Sequence, residues 1–454
     1  EIAIVDNSGE CQTRNSYRQM LRSLKVRYGA RIFYAGLEEK TRFADRLTKS
    51  GDLPPEVVMF GLFGLQGEVL AAFGGNRNAL LLHTVGEAVF TADDDTVCRV
   101  STAPELSDGL RFSSGCDPLE YRVFADRDDA LKNAPSVEKD ILAIHETLLG
   151  RRLDHIISGL GGAAMEFDRM NSDFLRRLES GSGRVLATIN GVVGDCAWGS
   201  PFGYWGGPMG YLLFKGNSHE RLVESEAAYQ AACTSREVFR VVNRPTISDG
   251  ACSVATSIGL DNRELLPPYT PLGRGLDILF GMNLWKCFEN GFLGHVPYAL
   301  LHAPVENRRF WRGEIFRSAS GYDIDKLMID CINSFEFGPS KADEKERLRA
   351  LGRYLMELGS MPSRDFQEFL RVRAWRTVSL FIDLMEDRLL SRGGSPQFWA
   401  DDVRRYIAIL RESASRKDYC IPLDLMQQHS ASEARDLSQR FVFMFGHLLY
   451  WWAG

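Results

Sequence analysis

The feature that most constrains this chain is the alternation, over its first hundred residues, of short apolar runs with segments of helical length. The run 2–5 (IAIV) stops at Asp6-Asn7-Ser8-Gly9, as a strand stops at a turn. Residues 16–28 interleave Leu21, Leu24 and Val26 with Arg and Lys in the manner of a surface helix. Residues 30–35 (ARIFYA) read as a strand and 38–49 as a helix. Residues 74–84 hold a helical run that leads into Glu87-Ala-Val-Phe-Thr91 and ends in Asp93-Asp94-Asp95. Repeated strand, crossover helix and strand predicts an α/β fold with an open, mostly parallel sheet and helices on its faces. Ligands of such sheets bind beyond the carboxyl ends of the strands, the expected position of Asp6 and of Asp93 to Asp95.

Further on, helices are expected at about 137–149 and 166–178. Residues 185–216 (VLATINGVVGDCAWGSPFGYWGGPMGYLLFKG) are rich in glycine and aromatic residues and predict a mobile loop beside a site. The prolines of 265–271 enforce extended structure ahead of Gly273-Arg274-Gly275-Leu276-Asp277. From about Asp323 the pattern turns helical, with a charged segment at 341–349 followed by apolar residues at three- and four-residue spacing. At about 150 residues per domain, 454 residues allow two or three. The division expected is a catalytic region over 1–320 and a helical one over 325–454. The apolar stretch Phe441 to Trp452 is too short to span a bilayer and is expected to be a core-packing terminal helix, with a membrane-surface anchor as the alternative.

A formal charge of −6 leaves no global basic field for nucleic acid or anionic lipid, so any polyanion must be held locally or through a metal. Nine cysteines, an odd number with no CxxC, fit reduced thiols in a cytosol-like compartment, and the expected location is cytoplasmic. Three adjacent carboxylates raise one another's pKa unless a cation neutralises them. Asp93 and Asp95, two apart on an extended chain, point the same way and can share one Mn²⁺ or Mg²⁺, hard cations that keep positions open for phosphates.

Arg77-Asn78 at the start of a helix, the Gly86-Glu87 turn and an apolar strand closing in Asp-x-Asp resemble the nucleotide-sugar-binding half of GT-A-fold glycosyltransferases, notably family 2. Val5-Asp6-Asn7-Ser8 resembles the VDDGS turn of that family, whose acidic residue meets the nucleobase; the family's first strand would then lie upstream of residue 1. Gly273 to Asp277 resembles the element carrying the catalytic base of inverting members, with Leu276 where the family usually has Glu. His302, in Tyr298-Ala-Leu-Leu-His302, resembles a third metal ligand found in some members. The resemblance covers residues 1 to about 310. It implies a UDP- or GDP-linked sugar donor bound by Asp6, Asn7, Arg77, Asn78, Asp93 and Asp94. It also implies a metal on Asp93, Asp95 and His302, and Asp277 as base. Trp198, Tyr204, Trp205 and Arg274 are candidates for acceptor contact on a closing loop. The acceptor is left open among peptide, glycan and small molecule, and the helical region is a candidate surface for a homo-oligomer.

Each residue has a plainer role beside it. Asp93 to Asp95 could cap a helix, Asp6 could form only a turn, and Asp277 could be a helix cap. His302 could be a core histidine, and the three aromatic residues could be packing. Two other functions fit the same residues. One is a haloacid-dehalogenase-like phosphatase with Asp93 as nucleophile and Asp95 as acid/base. The other is a nucleotide- or carbohydrate-binding protein without turnover.

Overall fold

The computed structural model describes residues 1–51, 53–65, 73–114, 117–181, 183–197, 207–250, 256–271, 273, 275–338 and 342–454. The chain begins with β1 (Ile2–Val5), α1 (Cys11–Tyr28), β2 (Ile32–Ala35), α2 (Leu37–Ser50), α3 (Pro55–Phe63), α4 (Phe73–His83) and β3 (Ala88–Ala92), the alternation expected from the sequence. Local signals set several of these ends. Gly29 takes φ 62° at the end of α1, a left-handed conformation that ends the helix, and Pro55 opens α3, where its missing N–H has no helical partner to lose.

Next come β4 (Thr96–Thr102), β5 (Leu110–Ser113), β6 (Glu120–Phe124), α5 (Arg127–Lys132), α6 (Ile141–Glu146), α7 (Leu153–Ser158), β7 (Met165–Asp168), α8 (Ser172–Glu179) and β8 (Arg184–Asp195). After a 3₁₀ turn at Gly207–Leu213 follow α9 (Gly216–Leu222), α10 (Glu226–Ala232), β9 (Glu237–Val241), β10 (Thr246–Ser248), β11 (Ser257–Asp261), α11 (Leu276–Cys287) and β12 (Gly291–His302). The rest is helical: α12 (Ile324–Asn333), α13 (Glu344–Gly359), α14 (Ser363–Ser391), α15 (Gln397–Ala414) and α16 (Ala431–Trp452).

Ten strands form one mixed sheet in the order β3-β11-β8-β12-β10-β5-β7, with β4 added on β12 and β9 joining β6 to β8. β8 and β12 are parallel, and β11 runs antiparallel to both β3 and β8, so β3, β8 and β12 share one direction. Their carboxyl ends, at Asp93, Asp195 and His302, therefore meet at the same edge.

Residues 184–195 are not the mobile loop expected over 185–216; they form the central strand β8, with eleven of its twelve residues buried. Its glycines serve close backbone packing rather than mobility. A Cβ on Gly191 would stand 2.4 Å from the Arg240 carbonyl oxygen, and one on Gly194 2.4 Å from that of His302. The helix expected over 166–178 is instead β7 followed by α8, whose first turn Asn171 caps by accepting from the Phe174 amide at 2.8 Å. The expected helix at 137–149 is reduced to α6.

β1 and β2 form a separate two-stranded parallel sheet. The amides of Ile2 and Asp6 donate to the carbonyls of Arg31, just before β2, and Ala35, both at 2.9 Å, which turns those of Ala3 and Val5 to the other edge. The Asp93 amide donates to Thr256 at 2.9 Å, so Ala92 and Phe90 face away from β11. Among the described residues no strand pairs with either of these edges. The first turn of α4 lies between them. Asn76 donates to the Val5 carbonyl at 3.4 Å, and Arg77 beside it reaches Thr91 of β3 and Asp93 just past its end.

The C-terminal helices do not build a core of their own. One apolar cluster runs from Val57 on α3, through Ile189 and Leu293 of the sheet, to Leu348, Trp399 and Phe445 of the helices. α13 and α16 cross with their backbones almost touching, since a Cβ on Gly352 or Gly446 would lie 2.6 Å from the other's carbonyl oxygen. α16 buries Phe441, Val442, Phe445 and Leu449 in this cluster, as the core reading of 441–452 expects, and Phe441 meets Phe60 edge-on at 5.7 Å. Among the described residues no helix is long and apolar enough to cross a membrane. The described cysteines, 11, 98, 196, 233, 287, 331 and 420, are all free thiols.

Candidate functional site

The site follows from where the parallel strands stop. At the end of β3 the chain turns at once into β4, the Thr96 amide closing on the Asp93 carbonyl at 3.1 Å, so that three consecutive carboxylates sit on one tight turn. They face different partners. Asp93 is held by Arg77, whose Nη2 donates at 2.6 Å and whose Nη1 donates to Thr91. Asp93's pKa is pushed up by burial and by Asp95, against the pull of Arg77. Asp94 is exposed.

Asp95 faces the other way. Its Oδ1 lies 3.0 Å from His302 Nε2 and its Oδ2 accepts from Arg308 at 3.2 Å; the His302 hydrogen bond, chiefly, holds its carboxyl below the usual range. His302 is buried at 3% exposure at the end of β12, and its Nδ1 lies 2.8 Å from the backbone carbonyl of Asp195 at the end of β8. A carbonyl only accepts, so Nδ1 carries a proton; Nε2 donates to Asp95 when it is protonated as well, and a metal ion held there would take that second proton's place. Asp195 is itself anchored, with Arg236 donating to both carboxylate oxygens at 2.7 and 2.9 Å and the Ala197 amide donating at 2.9 Å. Burial alone would raise the Asp195 pKa, but these bonds hold it low. Arg236 packs 5.0 Å from the centre of the Phe310 ring, which fixes it from behind.

On the β1 side, Asp6 accepts from the Ser8 amide (2.8 Å), the Ser8 hydroxyl (2.6 Å) and the Tyr34 hydroxyl (2.6 Å). Lys40, buried at 2% exposure, donates to Asn7 Oδ1 at 2.8 Å and Asn76 Oδ1 at 2.9 Å, and its Nζ lies 4.7 Å from the centre of the Phe63 ring. Burial pulls its ammonium down to about 8. Lys40 thus ties the end of β1 to the first turn of α4, and Asn76 is followed directly by Arg77. Asn78 does a structural task. Fully buried, it donates to the Gly61 and Tyr269 carbonyls, both at 2.9 Å, and accepts the Tyr269 amide at 2.8 Å. Tyr269 in turn stacks on Phe280 of α11 at 4.4 Å.

Asp277 lies in the first turn of α11, half-buried, and its charge acts on both Arg77 and Tyr269. Arg77 thus feels the charge of Asp277 as well as that of Asp93, its direct partner. Trp198, Tyr204, Trp205 and Arg274 lie outside the described residues.

The structure thus brings Asp6, Asn7, Arg77, Asp93, Asp95 and His302 into one row along the carboxyl ends of β1, β3 and β12. Asp93, Asp95 and His302 do not close on one point, because Arg77 holds Asp93. Among the described residues no three carboxylate, imidazole or thiolate side chains are placed to hold a metal ion. Asp95 and His302 remain as a two-ligand pair of hard oxygen and imidazole nitrogen, the nitrogen oriented by a backbone carbonyl as metal-bound imidazoles are. These two are the residues that could hold a Mn²⁺ or Mg²⁺ ion, with its other positions left to ligand oxygens.

Sequence reasoning missed Asp195, Arg236, Arg308 and Lys40. Asp195 had a signal, an apolar run (TINGVVG) stopping at an acid as 88–92 does; the two arginines and the lysine had none. No family model, no curated protein sequence and no solved structure matches the chain.

Proposed function

We propose that the protein is a metal-dependent glycosyltransferase that moves a sugar from a nucleotide-diphosphate donor to an acceptor hydroxyl or amine. The observation that carries this reading is the Asp95–His302 pair, keyed by Asp195, beside the Arg77–Asp93 pair at the common carboxyl edge of β3, β8 and β12. When bound, the metal neutralises charge on the departing diphosphate as a Lewis acid. The remaining work belongs to the chain. Asp95 and His302 hold the ion. Asp6 and Asn7 mark the nucleoside end of the row. Arg77 sets the electrostatic balance between Asp93 and Asp277. Asp277, in the first turn of α11, takes the acceptor's proton as general base.

The test is turnover of a panel of UDP- and GDP-sugars by the full chain with Mn²⁺. Hydrolysis or transfer that Asp95→Asn and Asp277→Asn abolish supports the reading, with Asp277→Asn retaining donor binding. Absence of both binding and turnover across the panel refutes it. The hold of Arg77 on Asp93 favours a second reading, a nucleotide- or carbohydrate-binding protein without turnover, which the same assay separates as binding alone.

A further inference from the structure

Residues 375–383 of α14 (WRTVSLFID) place Trp375, Val378, Ser379, Ile382 and Asp383 three and four residues apart, on one face of the helix. Along this face runs a groove of about 370 Å³, walled on its other side by Arg411 and Ala414 of α15. The volume falls within the span of about 300–1,000 Å³ of small-ligand sites. Val378 and Ile382, at 4% and 7% exposure, give the groove an apolar floor.

Its two ends differ. Trp375 stands at one of them, 54% exposed, and its indole Nε1 donates to the Ala414 carbonyl at 2.9 Å. That bond ties the ring from α14 across to α15, so the cost of ordering it is already met before a ligand arrives. Asp383 stands at the other end, eight residues and about 12 Å further along the helix axis. Neither its carboxylate nor the Ser379 hydroxyl on the way to it has a hydrogen-bond or ion-pair partner among the described residues. Arg411 gives one N–H to Glu386 at 2.6 Å and has others of its five to offer.

We propose that the groove between α14 and α15 binds a neutral glycan of two or more sugar rings. A sugar ring has a face of C–H groups and a rim of hydroxyls, and the groove has a counterpart for each. The negative face of the Trp375 indole attracts the slightly positive C–H hydrogens, and the floor of Val378 and Ile382 extends that apolar surface. Asp383, ionised, accepts from hydroxyl groups, while Ser379 and Arg411 donate to hydroxyl oxygens. Charge decides against other occupants. Asp383 and Arg411 bring opposite signs to the same groove, which matches neither a cation nor an anion, and one ammonium cannot meet Trp375 and Asp383 together across about 12 Å. An apolar helix laid into the groove would take water from Asp383 and Ser379 and give nothing back. None of these residues belongs to the row at the ends of β1, β3 and β12, so the proposal stands or falls independently of sugar transfer.

The test titrates cellobiose, maltotriose and diacetylchitobiose in turn against the full chain by saturation-transfer difference NMR, with lysine methyl ester as a cationic probe. Saturable binding of at least one saccharide is expected, abolished in Trp375→Ala, partly kept in Trp375→Phe, and weakened about tenfold in Asp383→Asn, the loss of one charge-assisted bond. Should Trp375→Ala fail to fold, Trp375→Phe and Asp383→Asn, which keep a ring or change an exposed side chain, carry the test. Absence of saturable binding of every saccharide by the wild-type chain overturns the proposal. So does saccharide affinity unchanged in the Trp375 and Asp383 variants, which places the sugar elsewhere, and so does binding of lysine methyl ester alone, lost in the same variants, which makes the groove a cation site.

Discussion

Replacing Asp195 by Asn removes one charge while keeping shape, volume and the backbone carbonyl that holds His302. What it leaves behind is Arg236, 11% exposed and still charged, facing a neutral amide where it had two charge-assisted bonds at 2.7 and 2.9 Å. Taking one partner from a buried pair costs about 3–5 kcal/mol, because the remaining charge is neither hydrated nor compensated. Unfolding entropy is about 2 cal/mol/K per residue, so a chain of 454 residues melting as one unit loses roughly one degree of Tm per kcal/mol. The expected drop is about 3–5 °C, read by circular dichroism, with a matching shift in urea midpoint. Arg236→Met added to Asp195→Asn should recover much of the loss, since it removes the stranded charge. The acid limb supplies a second sign. Asp195 titrates lower when folded than unfolded, so its stabilisation is present above the ordinary carboxylate range near 3.9 and lost as pH falls through its lower folded value. The gap between wild type and Asp195→Asn should therefore close below about pH 4. A loss under about 1 kcal/mol at pH 7, the scale of an exposed pair, or a double variant no more stable than the single one, would refute the reasoning.

Other substitutions test other parts of the molecule. Asn78→Ala removes three hydrogen bonds, two to the Tyr269 backbone and one to the Gly61 carbonyl, and should cost about 3 kcal/mol in urea unfolding. Gly446→Ala places a methyl against the Gly352 carbonyl, which cannot yield, and should destabilise by about 3 kcal/mol or more; equal stability would mean the two helices can move apart. Burial, and then Asp323, raise the Asp424 carboxyl to about 7, so stability should decline as pH rises from about 4 through 7. Asp424→Asn should flatten that decline and be more stable than wild type at pH 8.

Much of the fold was legible because propensity and tertiary structure agree. The first alternation gives β1 to β3 and their helices, and the late three- and four-residue spacing gives α12 to α16. It failed where glycine has two meanings. In 184–195 Gly191 and Gly194 mark backbones packed too closely for a side chain, a requirement set by Arg240 and His302, which lie 49 and 108 residues further along the chain. The antiparallel strands β4, β9 and β11 are equally non-local, since a short apolar run carries no sign of its partner's direction. At the site, residues at strand ends could be nominated from sequence. Those that orient them could not, because Arg236 and Arg308 sit in unremarkable polar stretches and act only across the fold.

The two open edges, at Ala3 and Val5 of β1 and at Phe90 and Ala92 of β3, mean that among the described residues no hydrogen-bond ladder crosses from the first sheet to the second. Among the described residues, 1–50 meet the rest through side chains, Lys40 and Asn76 among them, together with the small cluster of Ala44, Val58, Leu62 and Ala79. In native-state hydrogen exchange the β1 and β2 amides should therefore exchange through a partial opening of low free energy, while those of β8 and β12 exchange only with global unfolding. One end of the row, at Asp6 and Asn7, then belongs to a unit that opens independently of the end at Asp95 and His302. The site is stiff on one side and yielding on the other.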